Sequence, residues 1–222
     1  MTVDAAAERS PRRRYGGKDG RARQVERHDR LVAAGVRLFG RQGFAATSID
    51  AVCAEAGLTK RYFYESFASS DDLLIAAYRS ATREFMQSIL AAAGPHRHDA
   101  RALVRAGVQQ VYRFVRQHPD EARLIMIEAT AVRSQLGRVY GHSYAEFVEL
   151  LVVFTKPFID GPRPDDAVLA VMGRGAVGAI IHLCQGWLAT EFKQPVEELI
   201  VGTERLLEGM GRELGVRGLT AT

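Results

Sequence analysis

The chain has 222 residues, 47% of them hydrophobic, and a formal net charge of +4. That is enough for a sizeable core in one or two domains, and the mild basic excess is compatible with a polyanionic partner without demanding one. Cys53 and Cys184 are too few and too far apart in sequence for a disulfide framework, no apolar run reaches the roughly 18 residues of a bilayer span, and no apolar signal core follows the basic N-terminus. The expectation is a cytoplasmic protein with reduced thiols and no membrane segment.

Residues 1–20 place Arg9, Arg12, Arg13, Arg14 and Lys18 among Ser, Pro and Gly, with nothing to build a buried face. They predict a mobile basic arm. Beyond it the periodicity is helical. Leu31, Val32, Val36, Leu38 and Phe39 mark the inner face of a first helix, which the glycines at 40 and 43 end. A second helix is predicted to open at Thr47 and to turn inward Ile49, Val52 and Ala56. Gly57-Leu58-Thr59 breaks it, and a short third helix follows over 60–66. Ser69 or Ser70 caps a long fourth helix, where Asp71 and Asp72 suit the positive end of the dipole, and Gly94-Pro95 closes it.

Five more helices follow. Val104, Val108, Val111 and Val115 share a face of the first, and Pro119 starts a short one containing 124–129. Phe147, Leu150, Leu151, Phe154 and Phe158 stripe the third, which Pro157 ends or kinks. Gly161-Pro162 and Pro164 lead into a long apolar helix over 165–192, and Pro195 suits the first turn of the last helix. No strand alternation or repeat is found. The fold class is all-α.

The segment 47–64 has the spacing of a helix-turn-helix. Gly57 sits where the tight turn requires positive φ, and Cys53 sits where two crossing helices admit only a small side chain. Thr59 is placed to cap the recognition helix, whose N-terminal residues are then free to enter a major groove. Lys60 and Arg61 begin that helix, Tyr62 and Tyr64 add hydroxyls that reach phosphates or base edges, and Arg21, Arg23, Arg27 and Arg30 extend the positive surface.

Over residues 30–74 the chain resembles the DNA-binding domain of the TetR/AcrR family of regulators. Thr47-Ser48, Val52-Cys53, Ala56-Gly57-Leu58-Thr59 and Tyr64-Glu65-Ser66-Phe67 match the family pattern, and Leu38-Phe39 with Gly43-Phe44 resembles its first-helix ending. The resemblance implies that Thr47 and Tyr64 contact phosphate and that Thr59, Lys60, Arg61 and Tyr62 lie at or near base edges. Ser70 departs from the lysine usual ahead of the fourth helix, so a phosphate contact is weakened there. Glu65 is expected to point away from the duplex. The resemblance divides the chain into the arm at 1–20, a three-helix DNA-binding domain at 21–74, and a larger helical dimerisation and ligand-binding domain at 75–222.

The last two long helices are expected to pair with their copies in a homodimer, Gly173, Gly175 and Gly178 allowing close approach. Tyr112, Met126, Phe147, Phe154, Met172 and Trp187 are candidate lining residues for a small-molecule effector. Arg174 and Gln185, eleven positions apart, fall nearly on one face of the long apolar helix with His182 close by. Their partners are a ligand, Glu128 or, most simply, the second subunit. A mostly hydrophobic ligand would release a repressor from a palindromic operator by population shift, repression being the family's default.

Against an enzyme stands the lack of a phosphate loop, a nucleophile elbow or paired carboxylates. His96, His98 and Asp99 lack the further ligands a metal needs, and no cofactor is expected. The alternatives carried forward are a ligand-independent DNA-binding protein and a thiol redox sensor using Cys53.

Overall fold

In the computed structural model, which describes residues 16–160 and 165–219, the regular structure is helical apart from one isolated antiparallel bridge between Ile159 and Val216. The all-α expectation therefore holds over the described residues. Helix α1 (Gly16–Gln42) begins inside the stretch expected as an arm. Residues 21–26 are exposed, so the propensity of Arg, Gln and Glu carries the helix outward from its packed stripe. The arm's Arg9, Arg12, Arg13 and Arg14 lie outside the described residues.

Helices α2 (Ile49–Ala56), α3 (Lys60–Ser66) and α4 (Ser70–Ala93) follow. Helix α2 starts later than expected because Ser48 is its N-cap, with Oγ accepting the Ala51 N–H at 3.1 Å. Thr47 instead donates to the Gly43 carbonyl at 2.7 Å and accepts from Gln42 Nε2 at 3.1 Å, which braces the α1–α2 turn. Gly57 takes the left-handed conformation at φ 62°. Ser69, not Ser70, caps α4, accepting the Asp72 N–H at 3.1 Å. Leu31, Phe39, Phe63, Leu73 and Leu74 close the core beneath these helices and are all but inaccessible to solvent.

The second half holds α5 (Ala100–Gln117), capped by Asp99, and α6 (Pro119–Arg123), which runs straight into a π-helical turn, Leu124–Glu128. Two short helical turns, Ala129–Ala131 and Arg133–Leu136, lead to α7 (Arg138–Thr155), then α8 (Asp166–Ala189) and α9 (Val196–Glu213). Helix α8 stops at Ala189, short of the expected 192, because Glu191 and Phe192 turn left-handed at φ 52° and 62°. Pro195 is the N-cap of α9 rather than part of its first turn. After α9 the chain folds back as a strap. The Asp160 N–H donates to the Gly215 carbonyl at 3.2 Å, the Arg217 N–H donates to the Phe158 carbonyl at 2.7 Å, and Leu219 seats against Gly211.

Contrary to the sequence reading, α8 is long and apolar enough to cross a membrane. That holds by length and composition, which tolerate the polar His182. One face of α8, with Leu169, Ala176, Val177, Cys184 and Leu188, is packed inside the protein. The other face exposes Val168, Val171, Gly175, His182, Gly186 and Ala189, at intervals of three, four and seven that form a seam along the helix.

Candidate nucleic-acid interface and apolar cavity

Helix α3 buries Phe63 completely and turns Lys60, Arg61 and Tyr64 to solvent. Lys60 Nζ lies 2.9 Å from Asp50 Oδ1, and this hydrogen bond holds the ammonium charged beyond the usual lysine range. Arg61 donates to Glu65 Oε1 at 3.1 Å. Glu65 also lies 3.9 Å from Arg27, whose guanidinium sits 4.4 Å from the centroid of the Tyr62 ring. These partners are exposed or half-exposed, so a phosphate can replace them at small expense. Thr59 holds the N-cap backbone geometry, but its side chain makes no capping hydrogen bond, a difference from expectation. Arg30 also differs. Its guanidinium donates to the Ala56 carbonyl at 2.6 and 3.1 Å, stapling α1 to the end of α2 rather than adding free charge.

If Lys60 meets phosphate, Lys60→Ala is expected to reduce the slope of log affinity against log salt by about one. Tyr64→Phe is expected to weaken DNA binding without lowering the melting temperature. Anisotropy titrations over a salt series check both, and unchanged affinity in both variants would remove α3 as the recognition helix.

Helices α4, α5, α7, α8 and α9 enclose a cavity of about 190 Å³ with almost wholly apolar walls. Tyr112, Met126, Phe147, Phe154 and Met172 all line it. Trp187 lies behind it, its ring edge-on to Tyr112 at 5.7 Å between centroids and its Nε1 donating to the Gln194 carbonyl at 2.9 Å. Arg174 and His182 do not line it. Both lie on the exposed side of α8, because the cavity face is fixed by Leu169, Met172, Ala176 and Ile180, and at about 100° per residue Arg174 and His182 rotate away from it. Gln185 finds its partner within the chain, its Nε2 donating to the Met126 carbonyl.

Thr155, Lys156 and Thr203 on the cavity wall were not among the expected lining residues. Tyr112 Oη and Thr203 Oγ1 are 2.7 Å apart and both buried, and burial pushes the Tyr112 phenol up to about 12 against the opposing effect of the Thr203 bond. Lys156 lines the cavity at the end of α7, with Nζ 2.9 Å from Asp166 Oδ1. A signal for Thr203 existed, namely a polar residue set within the apolar stripe of the last helix.

The π-helical turn joins this cavity to the DNA-facing helices. Ile125 and Met126 line the cavity, and Glu128 Oε1 accepts the Phe44 N–H at 3.0 Å, in the turn between α1 and α2. One turn earlier, Gly40 of α1 packs directly against the Asp120 backbone, beside the Arg41–Asp120 ion pair at 2.9 Å.

Both thiols are buried. Burial pushes Cys184 up to about 12, and burial followed by the Asp50 charge raises Cys53, so neither offers the thiolate a redox sensor needs. Each is expected to react with a maleimide only as fast as the protein opens. Rapid alkylation of native Cys53 would restore the redox alternative. Asp99, weighed with two histidines as a metal cluster, caps α5 by accepting the Ala102 N–H at 3.0 Å.

Residues 31–77 match the profile of the family described as bacterial regulatory proteins, tetR family. The chain is 24% identical over 197 residues to the uncharacterized HTH-type transcriptional regulator YerO of Bacillus subtilis, covering 84% of this chain and 66% of YerO, just under two thirds of that protein's length. It is also 24% identical over 196 residues to YdgC of the same organism, similarly described, covering 86% of this chain and 95% of YdgC. In fold it is similar to the transcriptional regulator FadR from Bacillus subtilis, solved in complex with stearoyl-CoA. The TM-score is 0.67 at 14% identity, covering 81% of this chain and 97% of FadR.

Proposed function

We propose that this chain, whose residues 31–77 match the tetR family of bacterial regulatory proteins, is a cytoplasmic homodimeric repressor which releases a palindromic operator when a mostly apolar ligand fills the cavity. The observation that carries the DNA half is helix α3, anchored by the buried Phe63 while Lys60, Arg61 and Tyr64 stand exposed. In this reading Lys60, Arg61, Tyr62 and the uncapped Thr59 hydroxyl approach base edges, and Tyr64 contacts phosphate. Thr47 acts through its backing of the α1–α2 turn as well as at the DNA backbone. Residues 21–74 form the DNA-binding part and residues 75–222 the sensing and pairing part, with α4 reaching from one to the other.

Pairing follows from the outer seam of α8, where Val171 is 58% exposed and Val168 49% exposed, beside Val201 and Leu206 of α9. A second copy covering both helices would remove this apolar surface from water and set two recognition helices at about one turn of DNA. His182 and Arg174 then fall at or near the subunit boundary. The cavity supports the sensing half, and the stearoyl-CoA bound by FadR supports a ligand with a long hydrocarbon chain. Filling the cavity would favour a dimer whose recognition helices are wrongly spaced.

The test is selection of genomic DNA fragments by the purified protein, followed by affinity measurement across salt with sedimentation of the complex. A palindromic site bound by two copies with a steep salt slope is the expected result. Weak, sequence-blind binding, or one copy per site, would overturn the reading.

A further inference from the structure

We propose that the cavity selects a long-chain carboxylic acid oxygenated at its far end, with the carboxylate at Lys156 and the terminal oxygen on the Tyr112–Thr203 hydroxyl pair. This rests on the ligand-binding reading above and adds the chemistry of the ligand's two ends.

The cavity is elongated. Helix α5 lines it from Ala100 to Tyr112 and α9 lines it from Thr203 to Leu214. Eleven or twelve helical steps make it about 17 Å long, the reach of an extended alkyl chain rather than of a compact ring system. Its lining side chains carry hydroxyl or charged groups at four positions, Tyr112, Thr155, Lys156 and Thr203. Thr155 is spent within its own helix, donating to the Leu151 carbonyl at 2.7 Å. The other three lie at opposite ends. Lys156 adjoins the cluster of Phe158, Ile159, Leu169, Val216 and Leu219, whereas Tyr112 lies beside Trp187 at the other end of α8.

The two ends differ in character. Tyr112 and Thr203 are 0% and 1% exposed, so theirs is the blind end, and a ligand oxygen reaches their hydroxyls by displacing the side chains packed over them. Two hydroxyls hold two donors, and their mutual bond uses one, leaving one O–H and spare lone pairs for a third oxygen. A Phe and Val pair would fill the same space without burying polar atoms, so packing alone does not account for the hydroxyls. At the open end Lys156 is 38% exposed and its partner Asp166 is 81% exposed, a pairing that a ligand carboxylate can replace. Arg217, on the adjoining strap, is engaged by Asp160 at 3.7 Å. Among the described residues Lys156 is the charged side chain on the cavity wall itself, and its single ammonium suits a monoanionic head.

Trp187, the single tryptophan of the chain, reports on the blind end through its contact with Tyr112. The full chain is titrated with myristic acid, ω-hydroxymyristic acid, myristyl alcohol and myristoyl-CoA, following Trp187 fluorescence and heat of binding. The hydroxylated acid is expected to bind roughly five-fold tighter than the plain acid, the worth of one added buried hydrogen bond. Tyr112→Phe and Thr203→Val should each bring the ratio of the two acids' affinities to about one, as read by heat of binding. Lys156→Gln should weaken both acids several-fold and leave the alcohol unchanged. Equal affinity for the two acids, or a preference that survives Tyr112→Phe, overturns the blind-end assignment, and tighter binding of the CoA ester overturns the head-group assignment. If none of the four probes binds by either readout, it is the apolar-ligand reading beneath this proposal that fails.

Discussion

Gly40→Ala is expected to destabilise the protein by about 1–3 kcal/mol, in spite of the helix propensity that alanine adds. An added Cβ would stand 2.6 Å from the Asp120 carbonyl carbon, 2.8 Å from its Cα, and closer still to its oxygen. All three are backbone atoms, so no rotamer change relieves the overlap, and α1 must move off α6. The Arg41–Asp120 ion pair stretches with it. Gly20→Ala, in the same helix with nothing within 4 Å of the new methyl, is the matched control. Its expected sign is opposite, a gain of up to about 1 kcal/mol from propensity alone. Thermal melts of the two variants decide the matter, since for a chain of this size each kcal/mol moves the midpoint by about 2–4 °C. Equal midpoints would mean that the α1–α6 contact is soft, and the mechanical link between cavity and DNA helices would fall with it.

Gly57 and Gly40 show what the sequence did and did not disclose. The role of Gly57 was legible because it follows from local chemistry, a left-handed residue between two amphipathic helices. Gly40 read only as the end of a helix, because its constraint comes from a backbone eighty positions away in the chain. The same division separates the arginines. Charge near the recognition helix was visible, but nothing in the sequence tells that Arg30 spends its guanidinium on the Ala56 carbonyl. In α8 the apolar content was plain and its orientation was not, since a helix apolar around most of its circumference has no periodicity to say which side faces a cavity. Arg174 and Gln185 read as sharing nearly one face of that helix with His182 close by, yet Arg174 and His182 are exposed. Only Gln185 turns inward, where it meets the Met126 carbonyl. The π-helical turn carried no warning either, since Leu124 to Glu128 reads as ordinary helix.

That turn is where the second large effect is expected, with Glu128→Ala reducing the coupling between ligand and operator to near unity. Wild-type coupling of the usual size would be about 5–150-fold in affinity. A π-helical turn holds its backbone in a wider register than its neighbours, and such turns mark places where helices rearrange. A ligand pressing on Ile125 and Met126 that returns the turn to α-helical register would swing Glu128 by about 100°. It would then leave the Phe44 N–H, and the turn that sets α2 against α1 would lose its brace. Alanine removes the brace permanently, so the ligand has nothing left to release. Operator affinity of the free protein should fall, while ligand affinity measured without DNA should stay within about two-fold, because Glu128 itself is not on the cavity wall. Glu128→Gln keeps an acceptor oxygen for Phe44 and should retain most of the coupling, which separates loss of the hydrogen bond from loss of charge. The measurement is operator affinity with and without a saturating compound, for all three proteins. Full coupling in the alanine variant would show that the signal travels another way, through the direct packing of Gly40 on Asp120 or along α4, whose Phe85 and Ile89 line the cavity.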